Sequence, residues 1–488
     1  MLSRQGHFLK GLTICALNPQ RVPSGNTLTL VNRRFNSNKA GVSEFGKTHV
    51  ARGIGRLSDA LIDHGNGSYI TLKDERGRYL DFTSGIGVTG LGHCHPKVSQ
   101  AAANQCLSLV HGQVGIAFHK PYLDLIERLL PIMPHPSLNT FFLWNSGSEA
   151  IEAAIKVART KTQRQNIITM QGGFHGRTFG AMGLTRSKTT YSVGAHPLMP
   201  GVFVTPFPFW HHFGAQPSTP TEELVNLSLY QLELLLLQQT SPSDTAAILI
   251  EPVLGEGGYV PAPPAFLRGL REIADKHGLL LIFDEVQSGF GRTGKYFAHE
   301  WTHEDGGYVR PDIMVVAKGL ANGFPLSGIV SRKEIMDAQT PGTMGGTYAG
   351  NAVSCAAAAA VADVMKEENI LDNVNARSKE LFVALQALRS DPVVHPFILD
   401  IRGRGLMVGV EFAAPPGLMS RDPFANPKAP KNLASRIAAR CQENGLFMLT
   451  TSVYQVLRFI PPLNIKKEEL AEGIKIFSAA VREVILEG

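Results

Sequence analysis

Seven short apolar runs punctuate the middle of the chain: Phe141–Trp144, Asn166–Met170, Val202–Thr205, Ala246–Ile250, Leu279–Phe283, Asp312–Val316 and Ser327–Val330. Each is followed by a polar or Gly-rich turn and then by residues at helical spacing. Continuous apolar runs of this length, separated by helices, predict strands buried on both faces. The expectation is an α/β domain built on a mostly parallel seven-stranded sheet, with any ligand beyond the carboxyl ends of the strands. Upstream, residues 67–82 (GSYITLKDERGRYLDF) alternate as a hairpin about Asp74-Glu75-Arg76-Gly77, and Pro121–Leu130 reads as a helix. From about residue 361 the pattern changes. A helix over Val361–Leu388, a strand at Leu406–Phe412, a loop at Asp422–Lys431 and helices over Ala429–Asn444 and Lys467–Ile485 predict a smaller α+β domain. The expected divisions are a leader (1–43), an arm with the hairpin (44–95), a large domain (96–360) and a small domain (361–488).

Composition changes the picture at one end of the chain. The net charge of +6 over 488 residues suggests a basic protein. Yet Arg4, Lys10, Arg21, Arg33, Arg34 and Lys39 all precede the first acidic residue, Glu44. The rest of the chain is balanced, which removes the electrostatic footprint expected of a nucleic-acid binder. An acid-free, Arg-bearing, Ser/Asn-rich start reads as a mitochondrial transit peptide directing the protein to the matrix. Arg33-Arg34-Phe35-Asn36-Ser37 suggests cleavage after Phe35. No uncharged apolar run is long enough for a membrane span, and the Ala-rich stretch at 352–362 is too short. The five cysteines form no CxxC pair, so free thiols in a reducing compartment are expected, with no metal site. His93-Cys94-His95 reads as structural.

Three features carry candidate chemistry. The apolar run Leu279–Phe283 ends directly in Asp284-Glu285-Val286-Gln287, so Asp284 is an acid delivered by a buried strand. Lys318 stands just beyond another such run and before a Gly. Partial burial lowers a lysine's pKa and makes a neutral amine available for Schiff-base chemistry. Asn145-Ser146-Gly147-Ser148-Glu149-Ala150 joins a strand to a helix start, where backbone N–H groups and Ser148 could hold a phosphate. Each feature has a plainer reading: a cap, a surface lysine, ordinary helix capping.

Together with GGFHGRT (172–178), EPVLGEGG (251–258), FDEVQSGFGRTGK (283–295), PDIMVVAKG (311–319) and GGTYAGN (345–351), they make the chain resemble the class III, fold type I, pyridoxal-phosphate-dependent aminotransferases from about residue 50 onward. The resemblance implies that Lys318 carries pyridoxal 5'-phosphate as an internal aldimine and shuttles protons. Asp284 would face the pyridinium nitrogen and Gln287 the phenolic oxygen. Phe174 would stack on the ring with His175 beside it. Ser146, Gly147 and Ser148 would bind the phosphate, joined by Thr347 of a neighbouring subunit, which implies an obligate homodimer. The segment Thr302–Arg310 lengthens the Asp284-to-Lys318 spacing relative to some members.

The same resemblance points towards the 4-aminobutyrate group. Arg177 matches the arginine that binds a distal carboxylate, Arg402 the arginine for an α-carboxylate, Glu256 the glutamate that masks it, and Ile86 a pocket residue. The expected reaction moves an amino group from an ω-amino acid to a 2-oxo acid such as 2-oxoglutarate. The stretch GLTRSKTTYSVGAHPLMPG (183–201) favours this over an acetylornithine- or ornithine-type aminotransferase. Arg177 argues against a dialkylglycine-type decarboxylase, and intact Lys318, Asp284 and Gln287 argue against a non-catalytic scaffold.

Overall fold

The computed structural model describes residues 39–488 apart from Glu75 and residues 418–420. The leader and its cleavage site thus lie outside the described residues, except that residues 39–43 open a helix, Lys39–His49. The chain forms two units. In the first, residues 39–62 with 73 and 74, Lys47 pairs with Asp59 at 2.8 Å and Lys73 N donates to Leu61 O.

The second unit, which begins at Asp63, opens with all but the first residue of β1 (Ile62–Asn66), then β2 (Tyr69–Leu72) and β3 (Arg78–Asp81), the last two forming the expected hairpin. All seven apolar runs then become strands of one sheet. These are β4 (Thr140–Trp144), β5 (Asn166–Met170), β6 (Val202–Thr205), β7 (Thr245–Ile250), β10 (Leu280–Asp284), β11 (Ile313–Val316) and β12 (Ser327–Ser331), with the small ribbon β8 (Val253–Leu254) and β9 (Val260–Pro261) between β7 and β10. The sheet order is β4-β12-β11-β10-β7-β5-β6. Burial follows that order. The interior strands β7, β10, β11 and β12 are buried at every position, while the edge strands β4 and β6 are half-exposed. Only β12 runs antiparallel to its neighbours. Its reversal brings residues 323–326, at its amino end, to the edge where the other six strands end.

The smaller sheet has the order β13-β14-β17-β16, from β13 (Ile398–Arg404), β14 (Met407–Phe412), β16 (Leu449–Thr451) and β17 (Gln455–Phe459). A short strand, β15 (Leu446–Phe447), instead pairs in parallel with β3. Consequently Leu80, Phe82, Leu91 and Val98 share a core with residues of the last third of the chain, such as Leu381, Val408, Phe459 and Phe477. The core beside the smaller sheet is thus built from both ends of this unit. The helix expected over Val361–Leu388 is two helices, Ala352–Glu367 and Ile370–Arg389. Asn369, at φ 50°, breaks them; Asn tolerates the left-handed conformation that most residues avoid. No helix among the described residues is long and apolar enough to cross a membrane.

Candidate active site

Strand ends converge on a cavity of about 380 Å³ at the carboxyl edge of the large sheet. β10 ends in Asp284. β11 is followed by Ala317 and Lys318, β7 by Glu251, and β4 by Asn145 and Ser146. All line the cavity, with Phe174, His175, Arg177, Glu256 and Gln287.

Lys318 has φ 45°, an unusual backbone for a non-glycine residue, and opens a one-turn helix. Burial removes water from its ammonium and lowers its pKa to about 8, with Glu256 working in the opposite direction. Strain and a depressed amine at one position mark a functional residue. Asp284 is buried; its Oδ2 lies 2.8 Å from His175 Nδ1, and its Oδ1 accepts from Val286 N at 3.0 Å. A carboxylate can only accept, so His175 donates from Nδ1. Asp284 and Lys318 face the cavity from adjacent parallel strands.

Glu251 was not singled out by the motif reading, although it begins EPVLGEGG. It accepts from Phe174 N and Gly255 N, each at 2.8 Å, so one side chain ties two cavity loops to β7. Burial pushes its carboxyl up to about 7, with His175 opposing and Asp284 assisting. An acid at the end of a strand buried at every position was the signal available, as it was for Asp284.

Ser146 caps the 16-residue helix Gly147–Thr162. Its extended backbone leaves the helix start and its N–H groups at the cavity, where the macrodipole favours an anion. Gly176 is required there. At φ 131°, a Cβ would stand 2.2 Å from Ser148 Oγ, which already accepts from Arg177 N at 3.2 Å. The site fits a phosphorylated pyridine. It offers an anion cradle, an acid locked to a histidine, a depressed amine, and the buried Gln287 Oε1, which has no hydrogen-bond partner.

Three expected residues stand differently with respect to the cavity. Arg177 lines the cavity with its guanidinium 4.9 Å over the Tyr191 ring and 5.5 Å over that of Phe174. Ile86 does not line it; Val88 does. Ser84, Gly85, Ile86 and Gly87 all have φ between 44° and 76°, a left-handed turn that leaves Ile86 42% exposed. Thr347 is exposed and does not line the cavity of its own chain.

The pairing of Glu256 with Arg402 is corrected. Glu256 bonds Arg458 at 2.5 Å, while Arg402 pairs with Glu411 at 2.6 Å and Asp400 at 3.0 Å. The register gives the reason. Arg402 on β13 and Arg458 on β17 both pair with Gly409 on β14, so the two arginines flank one glycine in the same row. Only Arg458 meets Glu256. Burial works against ionised Glu256, but the charge and hydrogen bond of Arg458, joined by the charges of Lys318 and Lys188, together hold the carboxyl below its usual value. Glu256 lines the cavity and covers Arg458, which is buried.

His93, Cys94 and His95 diverge. His93 pairs with Asp81 and His95 with Glu368, while Cys94 is exposed. Among the described residues no cluster of histidines, cysteines and acids could hold a metal. Cys94, Cys106, Cys355 and Cys441 are free thiols.

Comparison with known proteins agrees with this geometry. The family model "Aminotransferase class-III" matches residues 50–481. The 5-aminovalerate aminotransferase DavT of Pseudomonas putida is 37% identical over 439 residues, covering 89% of this chain and 96% of that protein. The 4-aminobutyrate aminotransferase GabT of Escherichia coli is also 37% identical, with the same coverages. An acetylornithine aminotransferase of Clostridium acetobutylicum is 32% identical, over 89% of this chain and all of that one. Among solved structures, an ω-transaminase from Thermomicrobium roseum superposes with a TM-score of 0.80 at 28% identity, covering 92% of this chain and 99% of that one. The chain belongs to the class III aminotransferase family, a pyridoxal-phosphate-dependent transaminase of fold type I.

Proposed function

We propose that the enzyme transfers the amino group of an ω-amino acid, of the 4-aminobutyrate type, to a 2-oxo acid such as 2-oxoglutarate. The observation that carries this reading is the different state of two arginines, Arg177 in the cavity wall and Arg458 behind Glu256. Arg177 is exposed, with its guanidinium over the aromatic faces of Tyr191 and Phe174, ready for a carboxylate. Arg458 is buried and covered by Glu256. An ω-amino acid has one carboxylate, distal from its amine, and Arg177 can take it in a bidentate pair. With no α-carboxylate present, Arg458 needs Glu256, because a lone desolvated guanidinium is costly. Glutamate and 2-oxoglutarate carry a second carboxylate that replaces Glu256 on Arg458. The names of the relatives DavT and GabT support the same substrate class.

Bound pyridoxal phosphate supplies the electron sink for the reaction. The chain supplies the rest. The helix start at Gly147 and Ser148, with the Ser146 cap, would hold its phosphate, and Asp284, oriented by His175, would keep a proton on its ring nitrogen. Gln287 would bond its phenolic oxygen, and Phe174 would lie against its ring. Lys318 would anchor it, and its amine would hold and return the proton that moves during transfer.

The enzyme acts as a homodimer in this reading. Leu107, Ile116 and Phe118 are 90%, 87% and 75% exposed, and Tyr348, 66% exposed, stands beside Thr347. Asn351 Nδ2 donates to Val110 O, which draws the two segments together into one apolar surface. A second copy would cover it and bring Thr347 to the phosphate. The acid-free leader supports import into the mitochondrial matrix. Fusing residues 1–43 to a reporter tests that address, and a cytosolic signal would count against it.

The deciding experiment is an amine-donor screen of the purified enzyme with 2-oxoglutarate and pyruvate as acceptors. Turnover of 4-aminobutyrate or 5-aminovalerate is expected. A preference for N-acetylornithine would move the enzyme to the acetylornithine group.

A further inference from the structure

We propose that Arg402 is a positioning residue that sets the Glu256 latch through the backbone of the turn carrying Glu256. The inference rests on the reading that Glu256 covers Arg458 for one substrate and releases it for the other. Arg402 does not line the cavity. Its Nε donates to Gly258 O at 2.9 Å. Gly258 N donates to Gly255 O at 3.2 Å, closing a turn with Glu256 inside it. The other end is anchored too. Gly255 N donates to Glu251 at 2.8 Å, and Gly255 O accepts from Thr451 Oγ1 at 3.2 Å.

The row Arg402-Gly409-Arg458 explains how this works. Directly opposed residues of neighbouring antiparallel strands share a face, so both arginines rise on the same side of the small sheet. Between them Gly409 has no side chain, and the turn packs into that gap: a Cβ on Gly409 would lie 3.1 Å from Gly258 O. One arginine therefore grips the side chain of the turn and the other its backbone. Gly258, at φ 119°, leaves room for the Arg402 guanidinium, since a Cβ there would stand 2.9 Å from Nη2. Arg402 is in turn immobilised. Asp400 and Glu411 hold Nη1, Phe209 lies 4.9 Å below the guanidinium, and His211 braces Glu411 at 2.5 Å. With the backbone pinned, latch opening is confined to the Glu256 side chain, which returns to the same place on Arg458. A loosened turn would leave Arg458 uncovered for part of the time. That harms donors that need the latch closed more than glutamate, which needs it open.

The test is Arg402→Lys, which keeps the charge facing Glu411 and Asp400 but cannot also reach Gly258. Each half-reaction is followed by single-turnover absorbance, and amide hydrogen exchange is read over residues 251–259. The efficiency with 4-aminobutyrate should fall roughly three- to tenfold, the worth of one hydrogen bond, while glutamate stays within about twofold. Exchange should quicken in that turn alone. A larger loss with glutamate would mean that Arg402 binds the α-carboxylate itself and would overturn the proposal. Equal losses, with faster exchange across the small domain, would show a merely structural arginine and overturn it too. If Arg402→Lys does not fold, Thr451→Val removes the anchor at Gly255, together with a longer bond to Glu256 Oε2 at 3.5 Å, and must show both the same split and quicker exchange over residues 251–259; the absence of either sinks the idea. Wild-type enzyme that ignores 4-aminobutyrate would instead remove the functional reading, and the split is then measured on whichever donor without an α-carboxylate it accepts.

Discussion

Arg458 and Lys318 are the residues whose environments make the sharpest demands. Arg458→Ala should cripple the glutamate half-reaction, because the α-carboxylate loses a charge-assisted pair worth about 1.5–3 kcal/mol, or roughly ten- to a hundredfold. It should spare the 4-aminobutyrate half to a greater degree. Arg177→Ala should damage both, since both substrates place a distal carboxylate there; single-turnover kinetics of each half separates the two variants. Lys318 makes a pH prediction. Its amine titrates near pH 8 in the folded protein, against an ordinary value of 10.5. Cofactor capture by cofactor-free protein needs the neutral amine, so its rate should climb through about pH 8, read from visible absorbance. The unfolded chain keeps that proton up to 10.5, so this group adds stability as pH rises from 8 to 10.5. Asp284, Lys318 and the Ser146–Ser148 cradle were legible in the sequence because each is an abrupt polar residue or turn at the end of an apolar run. Glu251 gives the same signal. Arg402 and Arg458 could not be told apart that way. They stand on different strands and acquire distinct partners only through register around Gly409.

At the scale of elements, the phosphate cradle and the helix break expose local backbone demands. Gly176→Ala forces a methyl group onto Ser148, at 2.2 Å from its Oγ and 2.9 Å from its Cα, at a φ that side chains rarely adopt. The expected outcome is a folded protein whose affinity for pyridoxal phosphate falls by at least about tenfold, measured by absorbance titration. Asn369→Ala should cost about 1 kcal/mol in denaturant unfolding, because alanine tolerates the left-handed conformation poorly, whereas Asn369→Gly should be close to neutral. The seven strands of the large sheet were readable to within a residue because each is an unbroken apolar run, buried on both faces in the interior strands and half-exposed at the edges β4 and β6. The break at Asn369 was not. Helical spacing continues through Lys366-Glu367-Glu368-Asn369, and nothing local separates a long helix from two packed at an angle. The strands β13, β16 and β17 were also missed. They are mixed in polarity, carrying Arg402, Thr450 and Arg458, and owe their pairing to one another.

For the whole molecule, the exposed apolar surface around Ile116, Phe118 and Tyr348 predicts association. Sedimentation should find a dimer, and Phe118→Glu should weaken it and reduce activity in parallel, because Thr347 would leave the phosphate site. Activity unchanged in a monomeric variant would show that Thr347 is not needed. The sequence by itself determined the class of fold and, through its resemblance to class III aminotransferases, the cofactor and the candidate residues for it. The fold follows from strand-length apolar runs; the candidates are a lysine and an acid at their ends and a small-residue turn before a helix. The tertiary structure decided three further things. It joined Leu80 and Phe82 to a core built from the last third of the chain, it turned Ile86 away from the cavity, and it gave Glu256 to Arg458. Each depends on which distant segments lie side by side. Parallel pairing of β3 with β15 and the register of β14 against β17 fix those neighbours, and no local pattern of apolar and polar residues encodes a register between strands that are not consecutive in the chain.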